Sequence, residues 1–236
     1  MILFLGDSFT WGQGLQIPYW IQQGKSIDEC NRLMPPQYPA EIYDYHADEY
    51  RKKHHFPNLV AKHFNKSYST KWGNGGSNED IIFHLKNVGK MMDIHGIDFI
   101  VIQFTEIGRD EELRKLLNPD FNSDFINQNP NKLIKKYIQN QIHFIDDWCT
   151  NALKKPWFAY SWRVEHGEIL ESEYPNNYIP LIYGDNFYNN QDSMHGNSPI
   201  ILGNTIEGCQ DGHLSEFGHE IVANSIIRKI KNSNIY

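Results

Sequence analysis

Short apolar runs recur along the chain at Ile2–Leu5, Tyr68–Trp72, Phe99–Phe104 and Trp157–Trp162, each bounded by polar or turn-forming residues. Runs this short are brief for helices and fit buried strands. A fifth strand is expected at Ile179–Tyr183 or at Ile200–Leu202. Between the runs the apolar positions change to a helical period. Phe56-Pro57-Asn58 followed by Leu59, Val60 and Phe64 predicts a helix with proline in its first turn. Ser77-Asn78-Glu79-Asp80 ahead of Ile81, Ile82, Leu85, Val88 and Met92 predicts a capped, acidic start to an amphipathic helix. Residues 131–154 carry Leu133, Ile134, Tyr137, Ile138, Ile142, Ile145 and Trp148, the stripe of a long helix. A last helix spans Glu216–Lys231, its apolar face formed by Ile221, Val222, Ile226 and Ile230.

Strands alternating with helices imply βαβ units and a mostly parallel sheet, in an α/β fold. One doubly wound domain covering residues 1–236 is the simplest organisation, with no internal repeat or low-complexity linker. Two stretches, about 13–53 and 164–210, fit this plan poorly and read as long loop insertions. Loops of such length in a compact domain commonly act as lids or substrate walls. The alternative for the first stretch is irregular surface packing with a short helix at Ala40–Lys53.

At 236 residues, 40% hydrophobic and 14% aromatic, the chain can bury a large core. A net charge of -7 leaves no basic footprint for nucleic acid. No apolar stretch is long enough to span a membrane. The first strand begins at residue 2, leaving no room for a classical signal peptide, so a cytoplasmic location or another route without one is expected. Cys30, Cys149 and Cys209 are few, odd in number and far apart, which argues against a disulfide framework. Nothing in the pattern reports an oligomeric state.

Candidate chemistry sits at the two ends. Gly6-Asp7-Ser8 ends the first strand in a tight turn, holding a hydroxyl where open α/β sheets bind ligands. Asp211-Gly212-His213 stands just ahead of the last helix. A serine hydroxyl needs a base within reach, histidine suits that task, and a carboxylate fixes the tautomer of the histidine. Taken singly, Ser8 also reads as a turn or capping residue and Asp211 as a turn residue. Their combination at both ends of an α/β pattern is what points to a nucleophilic hydrolase.

These segments resemble the SGNH (GDSL) hydrolases. Gly6-Asp7-Ser8-Phe9-Thr10-Trp11-Gly12-Gln13-Gly14 is similar to the first block of that family, and Asp211-Gly212-His213-Leu214-Ser215-Glu216-Phe217-Gly218-His219 to the last. Asn74-Gly75-Gly76-Ser77-Asn78-Glu79-Asp80-Ile81 resembles the second block, and Val101-Ile102-Gln103-Phe104 the strand leading to the third. The resemblance implies a flavodoxin-like α/β/α sandwich and ester hydrolysis through an acyl-serine intermediate. It implies Ser8 as nucleophile, His213 as base and Asp211 as its orienting carboxylate. The backbone N–H groups of Ser8 and Gly76 become oxyanion donors.

The chain departs from the family pattern twice. One residue rather than two separates Asp211 from His213. Thr105-Glu106-Ile107-Gly108-Arg109 stands where the third block carries an oxyanion-binding asparagine, so Asn78, Asn74, Thr105 or Arg109 takes its place. Arg109 either reaches the oxyanion or a substrate carboxylate, or pairs with Asp7, Glu106 or Asp110. Trp11, which follows the nucleophile turn, and Trp162, at the carboxyl end of a strand, are the aromatics expected near the site. Asp7, Trp11, Thr105, Arg109 and Trp162 are thus the candidate substrate contacts. The histidines lack metal-ligand spacing, His219 reads as a packing or capping residue, and no metal or cofactor is expected. The expected activity is hydrolysis of small acyl esters, including O-acetyl groups on carbohydrate. A weakly active glycan-binding or structural module, and an acyltransferase using the same residues, are the alternatives.

Overall fold

The computed structural model describes residues 1–33, 44–72, 76–117, 132–183, 186–187 and 198–233. Four parallel strands, β1 (Ile2–Gly6), β2 (Tyr68–Trp72), β3 (Phe99–Phe104) and β4 (Trp157–Ser161), pair in the order β2-β1-β3-β4. All lie where the apolar runs predict them, with β4 ending one residue early. Strand residues alternate between two faces. Ile2, Phe4, Phe99 and Val101 pack against α5 (Phe56–His63) and α10 (Glu216–Asn232). Leu3, Leu5, Ile100, Ile102 and Phe104 pack against α6 (Asn78–Met91), α8 (Lys132–Asp147) and α9 (Val164–Glu173). The result is an α/β/α sandwich with flavodoxin-like strand order.

The predicted helix starts hold. Pro57 lies in the first turn of α5, and Ser77 caps α6 in a reciprocal capping box with Asp80. After Asp147, α8 continues as a π-helical segment, Trp148–Leu153, which ends at Lys154 in the left-handed region (φ 54).

The fifth strand is reduced. Ala159 of β4 donates to Asn177 O (2.9 Å) and accepts from Ile179 N (2.8 Å), a single parallel bridge. Pro180 follows directly and has no N–H to extend that ladder. Further along, β5 (Ile182–Tyr183) and β6 (Asn186–Phe187) form a two-residue antiparallel pair, and Ile201 makes a lone bridge to Leu214.

Where a loop was expected at 13–53, most of the described residues are helical: α2 (Gln16–Gln22), α3 (Ile27–Leu33) and α4 (Tyr45–His54), the last falling on the short helix offered as the alternative at Ala40–Lys53. Ile17, Trp20, Cys30 and Ala47 from these helices bury themselves with Leu202 in a small third core. Trp20 Nε1 donates to Asp44, the N-cap of α4, at 2.9 Å. Likewise, the stretch 164–210 begins with α9 rather than a loop, and residues 184–185 and 188–197 lie outside the described set. Among the described residues no helix is long and apolar enough to cross a membrane.

Candidate active site

The carboxyl ends of all four strands lie on one edge of the sheet, where Gly6 is in register with Trp72 and Phe104 with Ser161. Ser8 follows β1, Gly76 and Asn78 follow β2, Thr105 and Arg109 follow β3, and Trp162 follows β4. Topology alone therefore gathers residues spread across the sequence.

Ser8 opens a one-turn helix, α1 (Ser8–Trp11), that Asp7 caps by accepting from Phe9 N at 3.0 Å. Gly6 is fixed by what crosses above it. A Cβ there would lie 2.0 Å from Thr10 Oγ1, which donates to Gln103 Oε1 at 2.6 Å. Ser8 is almost fully buried and its hydroxyl donates to His213 Nε2 at 2.8 Å, while His213 Nδ1 donates to Asp211 Oδ1 at 2.8 Å. The same Asp211 oxygen accepts from His213 N at 2.8 Å, closing a two-residue turn that makes the single-residue spacing geometrically sufficient. The backbone of this segment is braced by Leu202 N to His213 O (2.8 Å) and Gly203 N to Asp211 O (3.0 Å). From α3, Asn31 ties down the preceding turn, donating to Gly208 O (2.9 Å) and accepting from Gln210 N (3.1 Å).

Beneath the serine, Asp7 is buried and accepts four hydrogen bonds. Besides Phe9 N these come from Gln103 Nε2 (2.7 Å), Thr105 Oγ1 (2.7 Å) and Arg109 Nη1 (3.3 Å). Burying a carboxyl group costs free energy that such hydrogen bonds offset. Arg109 also reaches Thr105 Oγ1 (3.1 Å) and, through Nε, Glu106 (3.3 Å). Of its two expected uses, the ion pair with Asp7 and Glu106 is the one formed. The other candidates divide. Thr105 joins the site through Asp7. The ring of Trp162 lies 6.1 Å from Phe9, whose own ring sits 4.9 Å from that of His213. Trp162 therefore backs the site through Phe9. Trp11, at the far end of α1, is turned to α4, where Arg51 stacks over its ring at 4.2 Å and donates to its carbonyl.

Asn78, expected as an oxyanion donor, turns its carboxamide to the backbone of Thr105. Its side chain is fully buried, with Oδ1 accepting from Thr105 N (2.9 Å) and Nδ2 donating to Thr105 O (3.3 Å). One of its two amide N–H groups is thereby committed to Thr105. Gly76 is buried two residues ahead, and among the described residues neither Ser8 N nor Gly76 N is bonded to another group. Asn74 lies outside the described residues.

Gln103, Phe9, Thr10 and Gly14 escaped the sequence reading as site residues. Gln103 had a readable signal, being the one polar residue in the apolar run Phe99–Phe104. His219, as expected, packs. It stacks on Phe56 and accepts from Phe56 N at 3.2 Å, and its burial holds it well below the ordinary histidine range. Among the described residues no group of His, Cys, Asp and Glu side chains is arranged to hold a metal ion.

Sheet order and site together define an α/β/α sandwich with a Ser–His–Asp hydrogen-bonded chain at the edge formed by the carboxyl ends of its strands. No protein-family model and no curated protein matches the sequence. Among solved structures the chain is similar to a protein of Desulfitobacterium hafniense DCB-2, provisionally described as a lipolytic protein of the G-D-S-L family. The TM-score is 0.51 at 13% identity, covering 97% of this chain and 98% of that one. This likeness establishes the fold alone, an α/β/α sandwich shared with that protein.

Proposed function

We propose that the protein is a serine esterase acting on small acyl esters. The observation that carries this reading is the unbroken chain Ser8 Oγ–His213 Nε2–Asp211 Oδ1, with both links at 2.8 Å. Such a chain has a chemical use that packing alone does not require. As Ser8 attacks an acyl carbon, its proton passes to His213 Nε2, and Asp211 stabilises the imidazolium that results. The negative charge that develops on the carbonyl oxygen is met by the backbone N–H groups of Ser8 and Gly76, which lack other partners among the described residues. His213 then returns the proton to the leaving alcohol, and the reverse sequence with water releases the acid and free Ser8.

The low exposure of Ser8, at 4%, favours a short acyl group, because a long chain needs an open trough beside the nucleophile. Phe9, backed by the buried Trp162, offers a partly exposed apolar face next to His213, suited to the face of a sugar ring. O-acetylated carbohydrate is accordingly the substrate class we favour. A sugar hydroxyl in place of water would give acyl transfer with the same residues.

Hydrolysis of p-nitrophenyl acetate by the wild type and by Ser8→Ala tests the reading. Turnover above background that disappears in Ser8→Ala is expected. Equal rates in both proteins would overturn it.

A further inference from the structure

The start of α6 is fastened more heavily than a helix N-terminus requires. Ser77 and Asp80 already satisfy the first turn through their capping box. Beyond that, Asn78 N donates to Asp110 Oδ1 at 2.8 Å, and Asp110 Oδ2 accepts from Gln141 Nε2 of α8 at 2.6 Å. Asn78 and Asp110 are both completely buried. Glu79 repeats the pattern toward α7 (Glu111–Leu117), accepting from Glu111 N (3.0 Å) and Glu112 N (2.8 Å).

What these bonds join is specific. The carboxamide of Asn78 holds both backbone groups of Thr105, and the hydroxyl of Thr105 donates to Asp7. Asp7 precedes Ser8, and Asn78 follows Gly76 by two residues. One short path of hydrogen bonds, Asn78–Thr105–Asp7, thus connects the segment bearing Gly76 N–H to the turn bearing Ser8 N–H. Those two segments belong to different βα units and share no covalent constraint.

We propose that Asn78 and Asp110 form a positioning clamp that sets the separation of the two backbone donors flanking the reacting carbonyl oxygen. On this account the chain uses its asparagine to hold the oxyanion site in shape rather than to bind the oxyanion. The clamp acts on transition-state stabilisation, so it governs kcat and leaves KM nearly alone. This inference rests on the esterase reading above.

The test compares ester turnover and the rate of fluorophosphonate labelling of Ser8 in the wild type, Asn78→Ala, Asn78→Asp, Asp110→Ala and Asp110→Asn. Asn78→Asp keeps the size of the residue and turns an oxygen toward Thr105 O, breaking one half of the pair. Asp110→Asn keeps an acceptor for Asn78 N. Its new amide can meet Gln141 Oε1, which has no partner among the described residues, once the Gln141 amide turns. Expected are kcat losses of about 10²-fold in Asn78→Ala and Asp110→Ala, with KM within about threefold. The double alanine variant should lose no more than the worse single one, since both cut the same clamp. Asn78→Asp should fall by at least about tenfold, and Asp110→Asn should stay within about threefold of wild type. If the alanine variants do not fold, Asn78→Asp against Asp110→Asn reads the same contrast. Full kcat and labelling rate in Asn78→Asp, or losses carried by KM, would overturn the clamp alone. A wild type that neither turns over ester nor labels at Ser8 would overturn the esterase reading and the clamp with it.

Discussion

Gly14 lies against the carboxylate of Asp211. A Cβ at position 14 would sit 2.9 Å from Asp211 Oδ1, the oxygen that accepts from His213 Nδ1. Gly14 also has φ +92, in the left-handed region where a side chain is strained. The segment after the serine turn therefore closes over the acid of the relay, and it can do so only without a side chain.

Gly14→Ala is expected to displace Asp211 and lower kcat by at least about 10²-fold, since Asp211 would no longer orient His213. Gly212 sits between Asp211 and His213, yet a Cβ there would meet nothing within 4 Å, and its φ is ordinary. Gly212→Ala should retain kcat within about threefold. Steady-state kinetics on the two variants check the contrast, and equal effects would contradict it.

Arg109 is engaged by Asp7, Thr105 and Glu106 while about a quarter of its side chain stays exposed. A partly exposed ion pair contributes little, about 0.2–1 kcal/mol. Arg109→Lys should keep kcat within about threefold and cost less than about 1 kcal/mol in urea unfolding. A kcat loss near 10²-fold would instead place the guanidinium on the reacting oxygen.

Much of this was legible in the chain. Three strands were readable because Ile2–Leu5, Phe99–Phe104 and Trp157–Ser161 are buried on both faces and so carry largely apolar runs, whereas Tyr68–Lys71 of β2 are partly buried and include three polar residues. Ser8, Asp211 and His213 were readable because a turn serine and a turn histidine bracket an α/β pattern. The helices α2 and α3 were hidden, and α4 was met only as the alternative at Ala40–Lys53, because their small core, Ile17, Trp20, Cys30 and Ala47, is shared with distant Leu202 and leaves each helix with little stripe of its own. The contact of Asn78 with Thr105 was hidden for a related reason. Thr105 is 27 residues away, and nothing in the spacing of either residue reports the contact.

Among the described residues, three buried histidines make the fold sensitive to acid. Burial pushes His55 and His166 down to about 3 and holds His219 well below its ordinary range, and half-buried His84 is lowered too. Between about pH 6.5 and 3 the unfolded chain binds protons at these rings that the folded chain refuses, so stability falls as pH falls. Asp110 opposes this with one proton, leaving a net of about two. Urea unfolding should lose about 2 kcal/mol between pH 6.5 and 5.5. Stability that is flat or rising toward acid would contradict the burial of these neutral rings.

Asp110 has the opposite sign. Burial raises its carboxyl to about 7, although Gln141 and the Asn78 and Glu79 backbone amides pull it down. Its contribution is complete below about pH 4 and lost as pH rises through 7. Asp110→Asn does not titrate, so its stability relative to wild type should climb from pH 5 to pH 8, by a few kcal/mol. A constant difference across that range would show that Asp110 ionises as easily folded as unfolded.

The most direct measurement of the central claim is intact-mass and peptide mapping after treatment with a fluorophosphonate, for the wild type, His213→Ala and Ser8→Ala. A single adduct on Ser8, formed far more slowly in His213→Ala and absent in Ser8→Ala, is the predicted result. An unlabelled wild type, or label spread over other residues at rates indifferent to His213, would contradict the assignment of Ser8 as an activated nucleophile.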